Sequence, residues 1–230
     1  MGVICGNWFY HLHHIFIINF RTEQMKYLSL TIYLLAMLSG CCMFNKHNAI
    51  RQQCLFDETI CRTNVQALQD GIDKFYANGG MYIIKDMDSG KTIEDTSVNF
   101  ATDTVYETYF SKINFENKTI PERLLNKYIN LVKTSGKGLQ QKLRDNVTAG
   151  TARRADLKDV EVFGITATTE KDSDKIVITT FLGHLKYEGK NYAFIFVMDE
   201  PKGLKRTYGW QSAGWNIVPT AKNIIENIVK

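Results

Sequence analysis

Few side chains in this 230-residue sequence have the type and spacing that chemistry demands. Three histidines, His11, His13 and His14, cluster near the start, as a metal site would require, but they fall in a segment expected to be missing from the working protein. Asp86 and Asp88 are paired carboxylates on one side of a turn, an arrangement that is normally solvated. Lys133 to Lys137 combines glycine with lysine but lacks the phosphate-loop pattern. In Gly164-Ile165-Thr166-Ala167-Thr168 the Thr168 backbone N–H could point at an oxyanion, but a donor without a nucleophile does no acyl transfer. Cys54 and Cys61 form a candidate disulfide. On one continuous helix their Cα atoms would stand about 10 Å apart, too far to bridge, so pairing requires a turn near Asp57-Glu58. Two free thiols are the alternative. No second cysteine pair or histidine cluster accompanies them, so no metal site is expected.

The elements that would carry these residues are legible in outline. Lys175 to Leu182 is rich in β-branched residues and apolar on both faces, which predicts a strand inside a sheet. Tyr192 to Val197 is a second buried strand, and His184 to Lys190 joins the two through a break at Glu188-Gly189. Ala221, Ile224, Ile225 and Ile228 recur at helical spacing after Pro219. Earlier, Val65, Leu68, Ile72, Phe75 and Tyr76 share a helical face, with Gly79-Gly80 as its stop. Met81 to Lys85 and Lys91 to Ile93 read as a hairpin around Asp86 to Gly90. Thr119 and Glu122 fit a capping box for a helix through Val132, and Leu139, Leu143 and Val147 mark another.

The order of the C-terminal pieces resembles the end of penicillin-binding transpeptidases, above all the division-specific FtsI type. There a Gly-Thr-x-x-x-Ala segment leads into a strand carrying Gly-Lys-Thr-Gly-Thr-Ala. Two antiparallel strands follow, then Asp-Glu-Pro-Lys-Gly, Ala-Gly-Trp-Asn and a closing helix. This sequence keeps Gly150, Thr151, Ala155, Gly164, Thr166, Thr168, Asp199-Glu200-Pro201-Lys202-Gly203, Ala213-Gly214-Trp215-Asn216 and Pro219. The resemblance covers about a third of the chain; the first hairpin, with its Ser89-Gly90 turn, is similar to the opening of the same domain. It implies an α+β fold, an antiparallel sheet packed by helices, in a reduced penicillin-binding/β-lactamase-like form. With the helical subdomain missing, one face of the sheet is expected to be bare unless another part or a partner covers it.

The motifs that do the family's chemistry are absent. Ile165-Thr166-Ala167 stands where the family has Lys-Thr-Gly, so the position lacks its fixed positive charge, and a methyl narrows the approach. No serine is followed three residues later by lysine. Tyr106-Glu107 is similar to the pair that precedes the family's nucleophile, but no serine follows at the right place. Ser97-Val98-Asn99 spells Ser-x-Asn ahead of where a nucleophile should be and is expected to be a loop coincidence. Trp210 and Trp215 are expected to pack rather than to bind a ligand.

Met25 to Cys41 is similar to a bacterial lipoprotein signal peptide. Lys26 opens it, Leu28 to Leu38 is an apolar core too short to span a bilayer comfortably, and Leu38-Ser39-Gly40-Cys41 matches the lipobox. Cys41 is the expected lipidation site. Translation is expected to start at Met25, making residues 1–24 an artefact. The expected organisation is a signal peptide over 1–40, a lipidated linker over 41–62 and a transpeptidase-like domain over 63–230. A net charge of +4 with scattered Lys and Arg gives nucleic-acid binding no support. No cofactor is expected. The partners expected are the membrane, through lipid on Cys41, and an envelope or division protein or peptidoglycan. Three functional readings stay open: a non-catalytic envelope binding or scaffold protein, a working acyl-transfer enzyme with an unidentified serine, and a decayed gene product.

Overall fold

A six-stranded antiparallel sheet, in the order β1-β3-β2-β6-β5-β4, organises the molecule. The computed structural model describes residues 50–100, 120–170, 177–202 and 211–230. The strands are β1 (Ile50–Cys54), β2 (Gly79–Asp86), β3 (Thr92–Val98), β4 (Glu161–Glu170), β5 (Val177–Tyr187) and β6 (Lys190–Asp199). The helices are α1 (Glu58–Lys74), α2 (Ile120–Thr134), α3 (Lys137–Thr148) and α4 (Ile217–Ile228), with a 3-10 turn at Arg153–Ala155.

β5 and β6 are interior strands, as their two-sided apolar character requires. One sheet face sends Tyr82, Ile84, Val162, Phe181, Phe194 and Phe196 toward α1 and α4. Phe194 is the hub, with ring centroids 5.1 Å from Phe181 and 5.3 Å from Phe196. Burying side chains of this size stabilises the fold by about 1.5–3 kcal/mol each. The other face sends Met81, Ile83, Phe163, Ile195 and Val197 toward α2 and α3, which bury Leu125, Tyr128, Ile129, Val132 and Leu143. The expected bare face is therefore covered, because α2 and α3 lay their apolar stripes on it. The fold is the expected α+β arrangement of sheet and helices.

Local differences have local causes. Glu188 (φ 47°) and Gly189 (φ 74°) alone make the β5–β6 turn, the two left-handed residues that a tight hairpin needs, so His184 to Tyr187 extends β5 rather than joining it. α1 ends at Lys74, and Tyr76, at φ 49°, reverses the chain. Gly79 and Gly80 then open β2 instead of stopping the helix. Ser97 and Val98 lie in β3, with Asn99 (φ 51°) just beyond, so the Ser-x-Asn spelling is a strand end and not a loop. Glu122 pairs at 2.8 Å with Lys85, which is almost wholly buried; Thr119, its expected capping-box partner, lies outside the described residues.

The described strands begin before residue 63. Ile50 to Cys54 pairs with Val98 to Glu94, which makes residues 50–54 an edge strand of the sheet. Cys54 and Cys61 form a disulfide with Cα atoms 6.0 Å apart. The strand ends at Cys54, Asp57 caps α1 by accepting from the Thr59 N–H at 2.8 Å, and Cys61 falls in the helix's first turns. That is the turn that pairing requires. Cys41 and residues 1–49 lie outside the described residues, as does the Tyr106-Glu107 segment. No helix among the described residues is long and apolar enough to cross a membrane.

Candidate functional site

Edge strand β4 gathers the residues singled out by type and spacing. Its inner side pairs with β5 from Glu161↔Lys186 to Glu170↔Val177. At its outer side α3 supplies two polar side chains. Arg144 Nη1 donates to the Val162 carbonyl at 3.0 Å and pairs with Asp156 at 2.8 Å. Asn146 Nδ2 donates to the Gly164 carbonyl at 2.8 Å. Backbone groups alternate sides along a strand, so those of Thr166 and Thr168 face the same open edge as the carbonyls of Val162 and Gly164.

Asn146 also fixes the turn that follows its helix. Its Oδ1 accepts from both the backbone N–H and the hydroxyl of Thr151, each at 3.1 Å. The Thr151 and Thr166 hydroxyl oxygens are 2.6 Å apart. Either hydroxyl can donate in this short contact. The hydroxyl that faces Thr166 is Thr151's, which is not a base that could activate it.

The loop before α4 closes the site from the other side. The Ala213 N–H donates to Thr168 Oγ1 at 3.1 Å. A Cβ on Gly214 would sit 2.4 Å from the Thr151 carbonyl oxygen, so only glycine lets these backbones approach. Arg154 Nη1 donates to the Gly214 carbonyl at 3.2 Å, and its guanidinium lies 3.5 Å from the Trp215 ring centroid. Trp215 is therefore a stacking partner within the fold. Asn216 caps α4, accepting from the Ile217 N–H at 2.6 Å and from the buried Thr179 hydroxyl at 2.7 Å. The Asp199-Glu200-Pro201-Lys202 tetrad is likewise structural. Glu200 (φ 49°) donates its N–H to the Val177 carbonyl at 2.9 Å and accepts from Asn78 Nδ2 at 2.6 Å, while the Lys202 N–H reaches the Phe75 carbonyl at 2.8 Å.

Thr166 and Thr168 thus turn to one face of β4, toward Thr151 and Ala213, and Ile165 and Ala167 turn to the other. Ile165 is 45% exposed. An exposed butyl group there offers neither charge nor proton. What the site retains is a set of backbone donors and acceptors on an open strand edge. Asp86 and Asp88 lie apart from it, in the β2–β3 turn. Hydrogen bonds from Ser89 hold the Asp86 carboxyl below the usual carboxylate range, as expected of a turn cap.

Two members of the cluster, Asn146 and Arg154, were not found in the sequence. A polar residue near a helix end usually faces water, and nothing in its spacing tells otherwise.

Solved structures share this architecture. The transpeptidase domain of the FtsI4 D,D-transpeptidase from Legionella pneumophila superposes with a TM-score of 0.59 at 14% identity, over 76% of this chain and 98% of that one. The transpeptidase domain of penicillin-binding protein 3 from Burkholderia pseudomallei gives 0.49 at 11% identity, over 76% and 95% of the two chains. A peptidoglycan glycosyltransferase from Burkholderia ambifaria gives 0.47 at 11% identity, over 77% and 98%. No protein-family model and no curated protein matches the chain. The fold is of the penicillin-binding-protein transpeptidase type, an assignment that rests on the first of these alignments. At such identities the likeness is one of fold and carries no activity with it.

Proposed function

We propose that this chain is an envelope lipoprotein, held to the membrane by lipid on Cys41. Its transpeptidase-like domain is a non-catalytic binding or scaffold module in a cell-wall or division setting. The observation that carries this reading is the exposed Ile165 on the open edge of β4, where the resemblance calls for a lysine. A transpeptidase cleft needs a cation there to lower the cost of ionising a nucleophile and to hold an anionic substrate. Isoleucine does neither. The Thr151–Thr166 hydroxyl pair, tied to Asn146, is a structural contact and not an activated nucleophile. The edge that is left suits recognition of an extended chain by backbone hydrogen bonds.

Two measurements test this proposal. A reporter β-lactam separates a binding module from an acyl-transfer enzyme, since only the latter forms a covalent adduct. Co-purification of the lipid-anchored protein with one defined envelope partner, or sedimentation with peptidoglycan, supports the binding role. Failure of both would leave the decayed-gene reading.

A further inference from the structure

Three ligand-bearing side chains meet at the β1 edge of the sheet, far from the β4 site. Cys54 ends β1, Cys61 lies in α1, and Glu94 sits on β3 directly opposite Cys54 in the strand register. Their sulfur and carboxylate atoms all lie within 4.8 Å of one another. Glu94 and Cys61 are buried, and Cys54 is half-buried. The Glu94 carboxylate is held by outer hydrogen bonds: Tyr82 Oη donates to Oε1 at 2.6 Å, Asn64 Nδ2 to Oε2 at 2.9 Å and Thr96 Oγ1 to Oε1 at 3.5 Å, with Gln52 a fourth donor to the carboxylate. Asn64 in turn accepts from Asn227 Nδ2 at 3.2 Å. Support of this kind is what fixes a metal-ligating carboxylate.

We propose that reduction of the Cys54–Cys61 disulfide converts this cluster into a site for a divalent cation of the zinc type. The ligands are the two thiolates and the Glu94 carboxylate. A dithiol supplies the electrons. Its thiolate attacks one sulfur, the mixed disulfide forms, and the reductant leaves as its own cyclic disulfide. Cys54 and Cys61 gain two electrons and two protons, and metal binding then releases the two thiol protons. Tetrahedral zinc holds sulfur at ~2.3 Å, which places its two thiolates ~3.7 Å apart, so the two sulfurs must part once the disulfide is broken. Two sulfurs with one oxygen favour zinc over magnesium or calcium. The two states exclude each other, because a disulfide sulfur is not a thiolate ligand. Glu94 is remote from both cysteines in the chain, so cysteine spacing alone showed no metal site.

The test uses the full chain, reduced with a dithiol, freed of reductant under nitrogen and titrated with Zn²⁺ alone. The expected result is one zinc per reduced chain and none per oxidised chain, by native mass spectrometry, with at least tenfold weaker binding in Glu94→Gln. Co²⁺ on the reduced wild-type protein gives a second readout, a thiolate-to-cobalt charge-transfer band that falls by about half in Cys54→Ser. That readout stands even if Glu94→Gln fails to fold. A reduced chain that takes up no zinc, a folded Glu94→Gln that binds like wild type, or a cobalt spectrum without a thiolate band overturns the proposal.

Discussion

The Thr166 hydroxyl oxygen lies 2.6 Å from that of Thr151, which in turn lies 3.1 Å from Asn146 Oδ1. Thr166→Val removes this contact while keeping the β-branched shape of the strand. The contact is exposed, so stability should fall by only about 0.5–1 kcal/mol. Urea unfolding checks this. A loss of several kcal/mol would mean that Thr166 has a buried role that the geometry does not give it.

Gly214 faces the Thr151 carbonyl so closely that any Cβ must displace backbone. Gly214→Ala should cost about 1–3 kcal/mol. It should also loosen the Ala213 N–H bond to Thr168, read as faster amide exchange at Ala213. Unchanged stability and unchanged exchange would show that the loop before α4 does not depend on this approach.

The Cys54–Cys61 disulfide ties edge strand β1 to α1 across a short loop. Loop-closure entropy puts its worth at about 2–3 kcal/mol. The double Cys54→Ser/Cys61→Ser variant should unfold at lower urea by that amount, with early exchange confined to residues 50–54. An identical midpoint for oxidised wild type and variant would contradict this.

His184 is buried, stacked on Phe163 at 4.5 Å, and bonded through Nδ1 to Tyr128 Oη at 2.9 Å. Burial, with Lys186 nearby, pushes its pKa down from 6.5 to about 4. The unfolded chain therefore binds this proton first as pH falls. Stability from neutral His184 is complete above pH 6.5 and is lost as pH drops toward 4. Between pH 7 and 4.5 the loss from this group should be roughly 2–3 kcal/mol. His184→Gln should show a pH dependence flatter by that amount in parallel urea titrations. Equal slopes would place a charged or exposed imidazole at this position.

The C-terminal half was readable because its strands are long and apolar, and because Glu188-Gly189 and Asn216 do the local work their residue types suit. The cover on the second sheet face was harder to foresee. α2 and α3 show apolar periodicity, but periodicity does not say which surface a stripe will meet. β1 was missed for a related reason. Ile50-Arg51-Gln52-Gln53-Cys54 is mostly polar, and what makes it a strand is pairing with β3, well over thirty residues away in the chain. At the site, the identities at Ile165, Thr166 and Ala167 were plain in the sequence. The contact of Thr166 with Thr151 was not, since Thr151 is placed by Asn146 on another element.

Intact-mass analysis of the purified protein after exposure to a reporter β-lactam tests the central claim most directly. An edge strand with Ile165 in place of lysine, and no Ser-x-x-Lys in the sequence, should leave the mass unchanged at every drug concentration and time. A stable mass increase of one drug molecule, mapped by peptide sequencing to a single serine, would show an active acyl-transfer site and contradict the account.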